Sequence, residues 1–500
     1  MKCRKIFTRS LWAVAAVMMT LGSCREEYRH FRTENVALGF SQDTIRFDTL
    51  LTGHTSITQR LMVRNPYKEA VRIDRIYLKG GEASRFRINV SGNTDLVQYG
   101  VVIGGRDSLF VFVNTVIDVR NQDNPFEVTD AIGFEVENSK PQQVVLTAWG
   151  QDAHYWKSDR SLRVPFFDPG MFNPDADSLT LSYFDYDPLR HRFDEDAKPI
   201  VIYGYLAVKE GETLLIPAGT RLYFAPQSGI WVRKGAKLQI AGELGQEVLM
   251  MSIRQDGDYR NTAGQWGRIW LDAESGPHEV DYAYLRNGQT GFWLDSCAEI
   301  QGGLNVRNTR VENMSSYGIF SNANRVKGEN LCFAEAQASL YLYKGGNYEF
   351  VHCTFANYAY HGSYGGSRAL VLSDYIYGPT GETQRFPLGR VLFANSSFTG
   401  YSEQQIRVDL SGRVEEYPQI SFDHCLVDLK PVPENHPWFD SCVWNAKPLF
   451  RDAENYNFEI DTAASALVGK ADAAYLTGTC LHDLRGKERR IPPTIGAYEF

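Results

Sequence analysis

The chain has 500 residues, which is long for one domain, and 43% of them are hydrophobic against 22% charged. This balance excludes a largely disordered protein. The 28 Phe, 27 Tyr and 43 Gly, with only 8 Met, favour strands and turns. The net charge of −8 argues against nucleic acid as the main partner.

Residues 1–23 are typical of an export signal. Four basic residues open this stretch: Lys2, Arg4, Lys5 and Arg9. An apolar run at 11–21 follows, and it is too short to span a bilayer comfortably. Removing the four basic residues from the total of 52 leaves 48 against 60 acidic residues, so the rest of the protein is more acidic than the whole.

The end of the signal, Leu-Gly-Ser-Cys at 21–24, resembles a bacterial lipobox. The resemblance implies cleavage before Cys24 and a lipid anchor on that cysteine, so the membrane is an expected partner. A plain secretory signal with a chance cysteine is the alternative. Residues 25–27, Arg-Glu-Glu, resemble the surface-export signal of Bacteroidota lipoproteins. We therefore expect an outer-membrane lipoprotein at the cell surface, tethered through residues 24–35, with the periplasmic face as the alternative location.

Six cysteines follow Cys24: Cys297, Cys332, Cys353, Cys425, Cys442 and Cys480. No two of them have the CxxC or zinc-site spacing. Export permits disulfides, but we expect most of these cysteines to be buried thiols.

Residues 36–155 are predicted to form an immunoglobulin-like β-sandwich. Short segments alternate apolar and polar residues, for example at 44–47, 59–63 and 109–113, and turn residues separate them. The segments 43–48 (Asp-Thr-Ile-Arg-Phe-Asp) and 148–150 (Ala-Trp-Gly) resemble the ends of an Ig-like module common on Bacteroidota lipoproteins. Such a module acts as a spacer or docking platform, and no catalytic constellation is visible in it.

Residues 156–199 are polar, aromatic and acidic, which predicts a linker or strap between two domains. Asn173, Asp175 and Asp177 offer oxygen ligands at alternate positions, as in a calcium-binding loop. Position twelve of that loop would be Phe184 instead of a bidentate Glu. A solvated linker without metal is therefore the stronger interpretation, and no other cofactor is expected.

From residue 200 the pattern changes to that of stacked coils, which we expect to continue to 460. Similar four-residue segments begin at Asn308, Asn330 and His352, with 22 residues between successive starts. The pattern returns at Asn395 after 43 residues and at His424 after 29. A period near 22 with three short strands predicts one coil of a solenoid, with loops inserted where the interval is longer.

Alternation within the repeat predicts which side chains point inward. One column holds Thr309, Leu331, Cys353, Ser396 and Cys425, and a second holds Val311, Phe333, Phe355, Phe398 and Val427. The Asn or His that opens each segment is expected to form a ladder that satisfies backbone groups at a corner of the coil.

The chain from 200 to 460 resembles right-handed parallel β-helix proteins of the pectate-lyase-like superfamily. The matching motifs are Val-Lys-Glu-Gly-Glu-Thr-Leu at 208–214, Ile-Pro-Ala-Gly-Thr at 216–220, Trp-Gly-Arg-Ile at 266–269 and His-Cys-Thr-Phe-Ala-Asn-Tyr at 352–358. The tail, with Asp-Leu-Arg-Gly at 483–486 and Ile-Gly-Ala-Tyr-Glu at 495–499, resembles the end motif of exported Bacteroidota β-helix proteins, so 461–500 is expected to be a cap. We thus expect an all-β chain, a sandwich followed by a right-handed parallel β-helix.

Two functional classes remain open. Polygalacturonase-like hydrolases need clustered aspartates, and this chain has no Asp-Asp pair; its one Asn-Thr-Asp, at 93–95, lies in the sandwich. No regular Asp cluster suits the cation of a β-helix lyase. We therefore favour a non-catalytic surface module that binds glycans or other macromolecules. The alternative is a polysaccharide lyase or glycoside hydrolase that acts on acidic polysaccharide.

The candidate binding face lies at the long insertion between His352 and Asn395, because solenoid insertions commonly build binding faces. Aromatic rings with a few polar groups suit sugars. We hypothesise contacts from Tyr360, His361, Tyr364, Arg368, Asp374, Tyr375 and Tyr377. Tyr341 and Tyr343 could stack on sugars if they point outward, and Arg286 and Arg407 could share the groove with Arg368 and Asp374. The competing interpretation is a loop that only covers an apolar flank.

Overall fold

The computed structural model describes residues 30–51, 53, 55–117, 126–165, 178–193, 196, 198–296, 303–358, 367–377 and 381–500. Cys24, the loop of Asn173, Asp175 and Asp177, and the predicted contacts Tyr360, His361 and Tyr364 lie outside these residues. The chain forms two compact units, Met1–Gln151 and Asp152–Phe500. The predicted all-β class is confirmed. No helix among the described residues is long and apolar enough to cross a bilayer.

The first unit is a sandwich of two sheets, as predicted. Its strands are β1 Phe31–Arg32, β2 Gly39–Phe40, β3 Thr44–Leu51, β4 Gln59–Arg64, β5 Ala70–Leu78, β6 Phe86–Val90, β7 Val97–Ile103, β8 Ser108–Thr115, β9 Phe126–Glu135 and β10 Gln142–Gln151. One sheet has the order β1-β5-β9-β10-β3, with β7 on β5, and the other has the order β2-β4-β8-β6. Alternate residues such as Leu61, Val63, Val111 and Val113 are buried between the sheets.

The second unit is a parallel β-helix. Its first coils use β11 His154–Lys157, β12 Arg160–Pro165, β13 Ser178–Asp185, β14 Ile200–Tyr203, β15 Tyr205–Val208, β16 Thr213–Pro217, β17 Arg221–Phe224, β18 Gly229–Val232, β19 Lys237–Ala241, β20 Val248–Ser252, β21 Trp266–Leu271, β22 His278–Asp281, β23 Ala283–Arg286, β24 Gly288–Leu294 and β25 Leu304–Arg307. The later coils use β26 Arg310–Glu312, β27 Tyr317–Asn322, β28 Arg325–Glu329, β29 Cys332–Ala334, β30 Ala338–Tyr343, β31 Gly346–Val351, β32 Thr354–Asn357, β33 Arg368–Ser373, β34 Tyr375–Tyr377, β35 Thr383–Arg385, β36 Leu388–Ala394, β37 Ser397–Gly400, β38 Ile406–Asp409, β39 Ile420–Asp423, β40 Leu426–Val427, β41 Phe439–Asp440, β42 Val443–Trp444, β43 Phe450–Asp452 and β44 Asn457–Ile460.

Three long sheets run along the solenoid. The first has the order β11-β14-β17-β20-β23-β26-β29-β32-β37-β40-β42, the second β12-β13-β15-β18-β21-β24-β27-β30-β33-β38, and the third β16-β19-β22-β25-β28-β31-β36-β39-β41. Among the described strands of these sheets, only β12 and β13 pair antiparallel. Two hairpins, β34–β35 and β43–β44, stand outside them.

Short 3₁₀ turns also occur among the described residues. They are Gly81–Ala83, Gly257–Asn261, Val414–Glu416, Ala453–Asn455, Ala473–Tyr475 and Gly478–Leu481.

The predicted inward columns are confirmed by the strand register. Val311 pairs with Phe333, Phe333 with Phe355, Phe355 with Phe398, and Phe398 with Val427. All five side chains are at most 1% exposed. The stacked rings of Phe355 and Phe398 have centroids 5.1 Å apart, so each coil buries its apolar face against the next.

The predicted ladder at the corner between the third and first sheets is also present. Asn308, Asn330, His352, Asn395 and His424 all have positive φ, between 47° and 53°, a conformation that Asn and His adopt more readily than most residues. Asn330 donates to Asn308 at 3.1 Å, and the Asn395 amide nitrogen lies 3.0 Å from His352 Nε2.

The strap expected at 156–199 differs from the structure. The second unit begins at Asp152, β11 pairs with β14, and β13 pairs with β15, so this stretch extends two solenoid sheets. The physical reason is apolar burial: Trp156 and Phe184 are 7% and 4% exposed and pack in the solenoid core. The antiparallel β12–β13 hairpin hides the repeat period in the sequence.

The C-terminal segment lies along the outer face of the first sheet. Cys332, Ala334 and Ala356 of that face pack against Leu484 and Tyr498. Arg489 is buried, donates to Asn330 Oδ1 at 2.9 Å, and lies 3.8 Å from Glu499. The end motif therefore fastens the tail to the ladder.

Candidate functional site

An aromatic row follows the outer face of the second sheet. Trp231, Trp270, Trp293, Phe320 and Tyr341 occupy one register position in five successive coils. The ring centroids of Trp293 and Phe320 are 4.0 Å apart, and those of Phe320 and Tyr341 are 5.7 Å apart. The row arises because parallel strands in register bring equivalent outward residues together.

The row changes from buried to exposed along the solenoid. Trp293 and Phe320 are each 1% exposed, whereas Tyr341 is half-buried. The next two positions in the register are Val371, half-buried, and Arg407, exposed. Within this row, aromatic surface is available to solvent at the C-terminal end. At the N-terminal end of the same sheet, the half-buried Tyr183 packs edge-on against Trp231, with ring centroids 5.8 Å apart.

Four tyrosines and two charged residues form a more accessible surface at the C-terminal end of the second sheet, which we call the tyrosine face. They are Tyr341, Tyr343, Tyr375, Tyr377, Arg407 and Asp409. The Tyr341 and Tyr343 rings are 6.0 Å apart, and those of Tyr375 and Tyr377 are 5.3 Å apart. Tyr377 is 68% exposed. Tyr375 adjoins the outer face of the second sheet through Asp409, and Tyr377 packs against Tyr375.

Hydrogen bonds fix the polar part of the tyrosine face. Tyr375 donates to Asp409 Oδ1 at 3.0 Å, and Arg407 donates to Asp409 Oδ2 at 3.0 Å. The hydrogen bonds with Tyr377 and Asp409 raise the pKa of Tyr375, so its phenol stays protonated at neutral pH. The hairpin is thereby tied to β38 through one carboxylate.

A lysine lies at the rim of the tyrosine face. Lys344 Nζ is 5.2 Å from the Tyr343 ring centroid and 5.4 Å from that of Phe386. Partial burial lowers the pKa of Lys344, and burial raises the pKa of Tyr343 to about 12. A cation between two rings can face an anionic or strongly polar ligand.

The structure places the described members of the predicted contact set at different depths. Asp374 is 3% exposed, and its carboxylate accepts hydrogen bonds from the Ser411 backbone, the Ser411 hydroxyl and Tyr417. It supports the hairpin from below and has no free surface for a ligand. Arg368 is half-buried at the start of β33, in register with Ala338. Tyr375 and Tyr377 remain at the surface.

Arg286 does not share the groove expected from the sequence. It lies on β23 in the first sheet, whereas Arg368 and Arg407 lie in the second. Its guanidinium donates to Asn261 at 2.6 Å.

The sequence reasoning missed Asp409. The sequence could have revealed it through three similar segments that stack in register. These are Leu-Tyr-Leu-Tyr at 340–343, Leu-Val-Leu-Ser at 370–373 and Ile-Arg-Val-Asp at 406–409. Aligning the apolar positions of these three segments brings the outward residues Tyr341 and Arg407, and Tyr343 and Asp409, into common rows.

Two aspartates follow the tryptophans on the same face. Asp295 accepts hydrogen bonds from the Trp270 and Trp293 indoles at 2.8 and 3.1 Å. Asp272 directly follows Leu271, which pairs with Leu294 just before Asp295, so the two carboxyl groups lie in adjacent coils. Burial raises the pKa of both groups, and the charge of Asp272 raises that of Asp295 further.

One group of described residues could hold a metal ion: Asp423, His424 and Asp472, whose ligand atoms lie within 4.8 Å of one another. Their atoms already have partners in the protein. Asp423 contacts His424 Nδ1 at 2.6 Å and accepts from Tyr475 at 2.6 Å, and Asp472 accepts from the Ala474 backbone. The arrangement fits the attachment of the C-terminal segment to the ladder.

A small cavity also lies at the first sheet. It is lined by Glu247, Tyr284, Arg310 and Arg485 among others. Arg310 forms an ion pair with the fully buried Glu312, which also accepts a hydrogen bond from Tyr284 at 2.6 Å. The polar groups of Arg310 and Tyr284 that line this cavity are therefore already paired with Glu312.

Comparisons with known proteins add no family. No family model matches the chain, and no curated protein matches it. Among solved structures, a family 123 glycoside hydrolase from Clostridium perfringens is similar at 7% identity with a TM-score of 0.18, over 24% of this chain and 30% of that chain. The match therefore spans less than a third of the hydrolase. The ASH/PapD-like domain 7 of human CEP192 is similar at 11% identity with a TM-score of 0.17, over 25% of this chain and 93% of that chain.

Proposed function

We propose that this protein is an exported, lipid-anchored β-helix protein that binds glycans on the tyrosine face without cleaving them. The observation that carries the proposal is the outward placement of Tyr341, Tyr343, Tyr375 and Tyr377 beside Arg407 and Asp409. Sugar rings present C–H groups that pack on aromatic faces, and their hydroxyls bind charged side chains.

The solenoid geometry favours a polymer over a single sugar. Tyr341 and Arg407 lie two coils apart on one row, about 10 Å at the usual strand spacing. The β34–β35 hairpin widens this surface beyond the width of one strand. A chain of several sugar units would contact both tyrosine pairs, whereas a monosaccharide would contact one.

Binding to soluble polysaccharides tests the proposal. We expect affinity electrophoresis with a panel that includes polygalacturonate and neutral glucans to reveal a retarding polymer. The double variant Tyr341→Ala, Tyr377→Ala should weaken that binding by about tenfold or more, since each lost stacking contact costs roughly 1 kcal/mol. Tyr401→Ala is the matched control, because Tyr401 is 80% exposed and follows β37 of the first sheet. Equal retardation of the double variant and the control would contradict the proposal.

Membrane anchoring is tested at Cys24. The Cys24→Ser protein should lack lipid and appear in the soluble fraction after cell lysis, because a signal alone provides no acyl chain. Protease treatment of intact cells then separates surface display from the periplasmic face. A Cys24→Ser protein that remains in the membrane pellet would show that the anchor lies elsewhere.

One observation favours a second function, the hydrolysis of a glycosidic bond. Asp272 and Asp295 lie in adjacent coils beside tryptophans, and their raised pKa values suit an acid and a second carboxylate. Release of reducing ends from the polysaccharide that binds would support it, and Asp295→Asn should then abolish release while binding persists. Binding without release would leave the non-catalytic proposal standing alone.

A further inference from the structure

Two cysteines occupy matching positions in the last two coils of the first sheet. Leu426 pairs with Val443 in parallel register, and the Val443 backbone donates to the Cys425 carbonyl at 2.8 Å. Cys425 and Cys442 therefore stand directly opposite each other. Neighbouring strands lie about 4.8 Å apart, within the range of Cα separations that a disulfide requires.

Both thiols point the same way, into the solenoid. Cys425 Sγ lies 3.3 Å from the Phe393 carbonyl oxygen, and Cys442 Sγ lies 3.3 Å from the Phe422 carbonyl oxygen. Phe393 and Phe422 themselves pair in adjacent coils. The two sulfur atoms thus repeat one environment a coil apart.

The other described cysteines have no such partner. Cys353 precedes Cys425 in the same inward column, but Ser396 stands between them. Cys332 lies on the opposite, outward face of the first sheet, and Cys480 lies in the C-terminal segment. Among the described residues, the register thus selects a single pair.

We infer that Cys425 and Cys442 form a disulfide that closes the C-terminal end of the solenoid. This inference is independent of glycan binding and rests on the proposed export only for the oxidising surroundings. At the end of the solenoid, β40, β41 and β42 have two residues each and the second sheet stops at β38, so few backbone hydrogen bonds hold the last coil. Leu426 and Val443 also pack in an apolar cluster with the C-terminal segment. A cross-link there would protect a short edge strand from fraying.

The oxidation requires a partner disulfide, which an extracytoplasmic thiol–disulfide oxidoreductase or oxidised glutathione would supply. The Cys442 thiolate attacks that disulfide, so a mixed disulfide forms and one partner thiolate leaves. The Cys425 thiolate then attacks Cys442 Sγ, which forms the intramolecular S–S bond and releases the second thiolate. The two protons lost by the cysteines are taken up by the partner, which leaves as two thiols. Cys442 acts first because it is half-buried, whereas Cys425 is fully buried.

Thiol trapping on the wild-type protein tests the inference. The purified chain is equilibrated in buffers that contain both oxidised and reduced glutathione, quenched with acid, alkylated in denaturant and digested. We expect one cross-linked peptide pair that joins Cys425 to Cys442 even at equal glutathione concentrations, while Cys353 remains alkylated. Alkylation of both Cys425 and Cys442 at every ratio, including oxidised glutathione alone, would overturn the inference.

A thermal comparison supplies the second readout. The oxidised wild-type protein should unfold at a higher temperature than the protein kept in a reducing agent. Cys442→Ser should lose this redox-dependent shift, and Cys353→Ala, the matched control from the same inward column, should retain it. A shift that persists in Cys442→Ser would assign the effect to other cysteines and would also overturn the inference.

Discussion

Single polar residues inside this solenoid act by satisfying backbone groups as well as one another. Asn395 shows this most fully: its side chain contacts His352 Nε2 at 3.0 Å, donates to the Asp472 carbonyl and accepts from the Asp472 amide. It does so in a left-handed conformation with φ of 50°. One side chain therefore connects two coils and the C-terminal segment.

Asn395→Ala should destabilise the protein by about 2–4 kcal/mol, because buried backbone groups of Asp472 lose their partners and Ala is strained at positive φ. Urea unfolding followed by circular dichroism measures the change. Asn455→Ala is the control, since Asn455 is exposed. A loss below about 0.5 kcal/mol for Asn395→Ala would show that water replaces the side chain.

Asp428 should make stability depend on pH. Burial raises its pKa from 3.8 to about 6, and the charge of Glu403 acts in the same direction. The folded protein therefore keeps a proton that the unfolded chain loses, so the contribution of this group is fully present below pH 4 and is lost as pH rises through 6. We expect Asp428→Asn to unfold at the wild-type temperature at pH 4 and above it at pH 7. Asp461→Asn, at an exposed position, should show no such divergence; a constant difference between wild type and Asp428→Asn would contradict the assignment.

At the scale of strands, the inner and outer faces of a coil differ in how far the sequence predicts them. The inward column from Val311 to Val427 follows from the repeat because every coil must fill the same interior space. The ladder follows because Asn and His tolerate positive φ at a corner. By contrast, the row from Trp231 to Tyr341 lies outward, where alternation alone predicts polar residues.

The strap and the binding face were harder to predict for separate reasons. Residues 156–199 contain an antiparallel strand pair without the repeat period, so the sequence does not show that they belong to the solenoid. The pairing of β13 with β15 shows it. Asp374 has the residue type of a ligand contact, but Ser411 and Tyr417, which come much later in the chain, occupy its oxygens. Tyr375 and Tyr377, two other predicted contacts, lie on the β34–β35 hairpin and are half-buried and exposed, respectively.

The buried part of the aromatic row should contribute mainly to stability. Trp293→Ala should cost about 3–5 kcal/mol, because Trp293 is 1% exposed and its removal leaves a cavity beside Phe320 and one unused acceptor on Asp295. Denaturant unfolding measures this loss. Tyr377→Ala, in the exposed tyrosine face, should change stability by less than about 0.5 kcal/mol. Similar losses of unfolding free energy for the two variants would contradict the division between the buried aromatic row and the exposed tyrosine face.

At the scale of the whole molecule, the two compact units have separate hydrophobic cores. A fragment of residues 152–500 should therefore fold alone and unfold in one cooperative transition, and a fragment of residues 30–151 should do the same. Calorimetry of each fragment and of the full chain checks this. Aggregation of the 152–500 fragment, or a full-chain transition far above both fragments, would show that the units depend on each other.

The attachment of the tail to the ladder also bears on how the molecule is made. Arg489 bonds to Asn330 across 159 residues of sequence, and Tyr498 covers the row that contains Cys332. Residues 484–498 are synthesised long after the strands that they contact, so the outer apolar surface of the first sheet stays uncovered until this segment has been made. Chains that stop before residue 484 would thus expose an apolar, protease-sensitive surface even when their coils are otherwise complete.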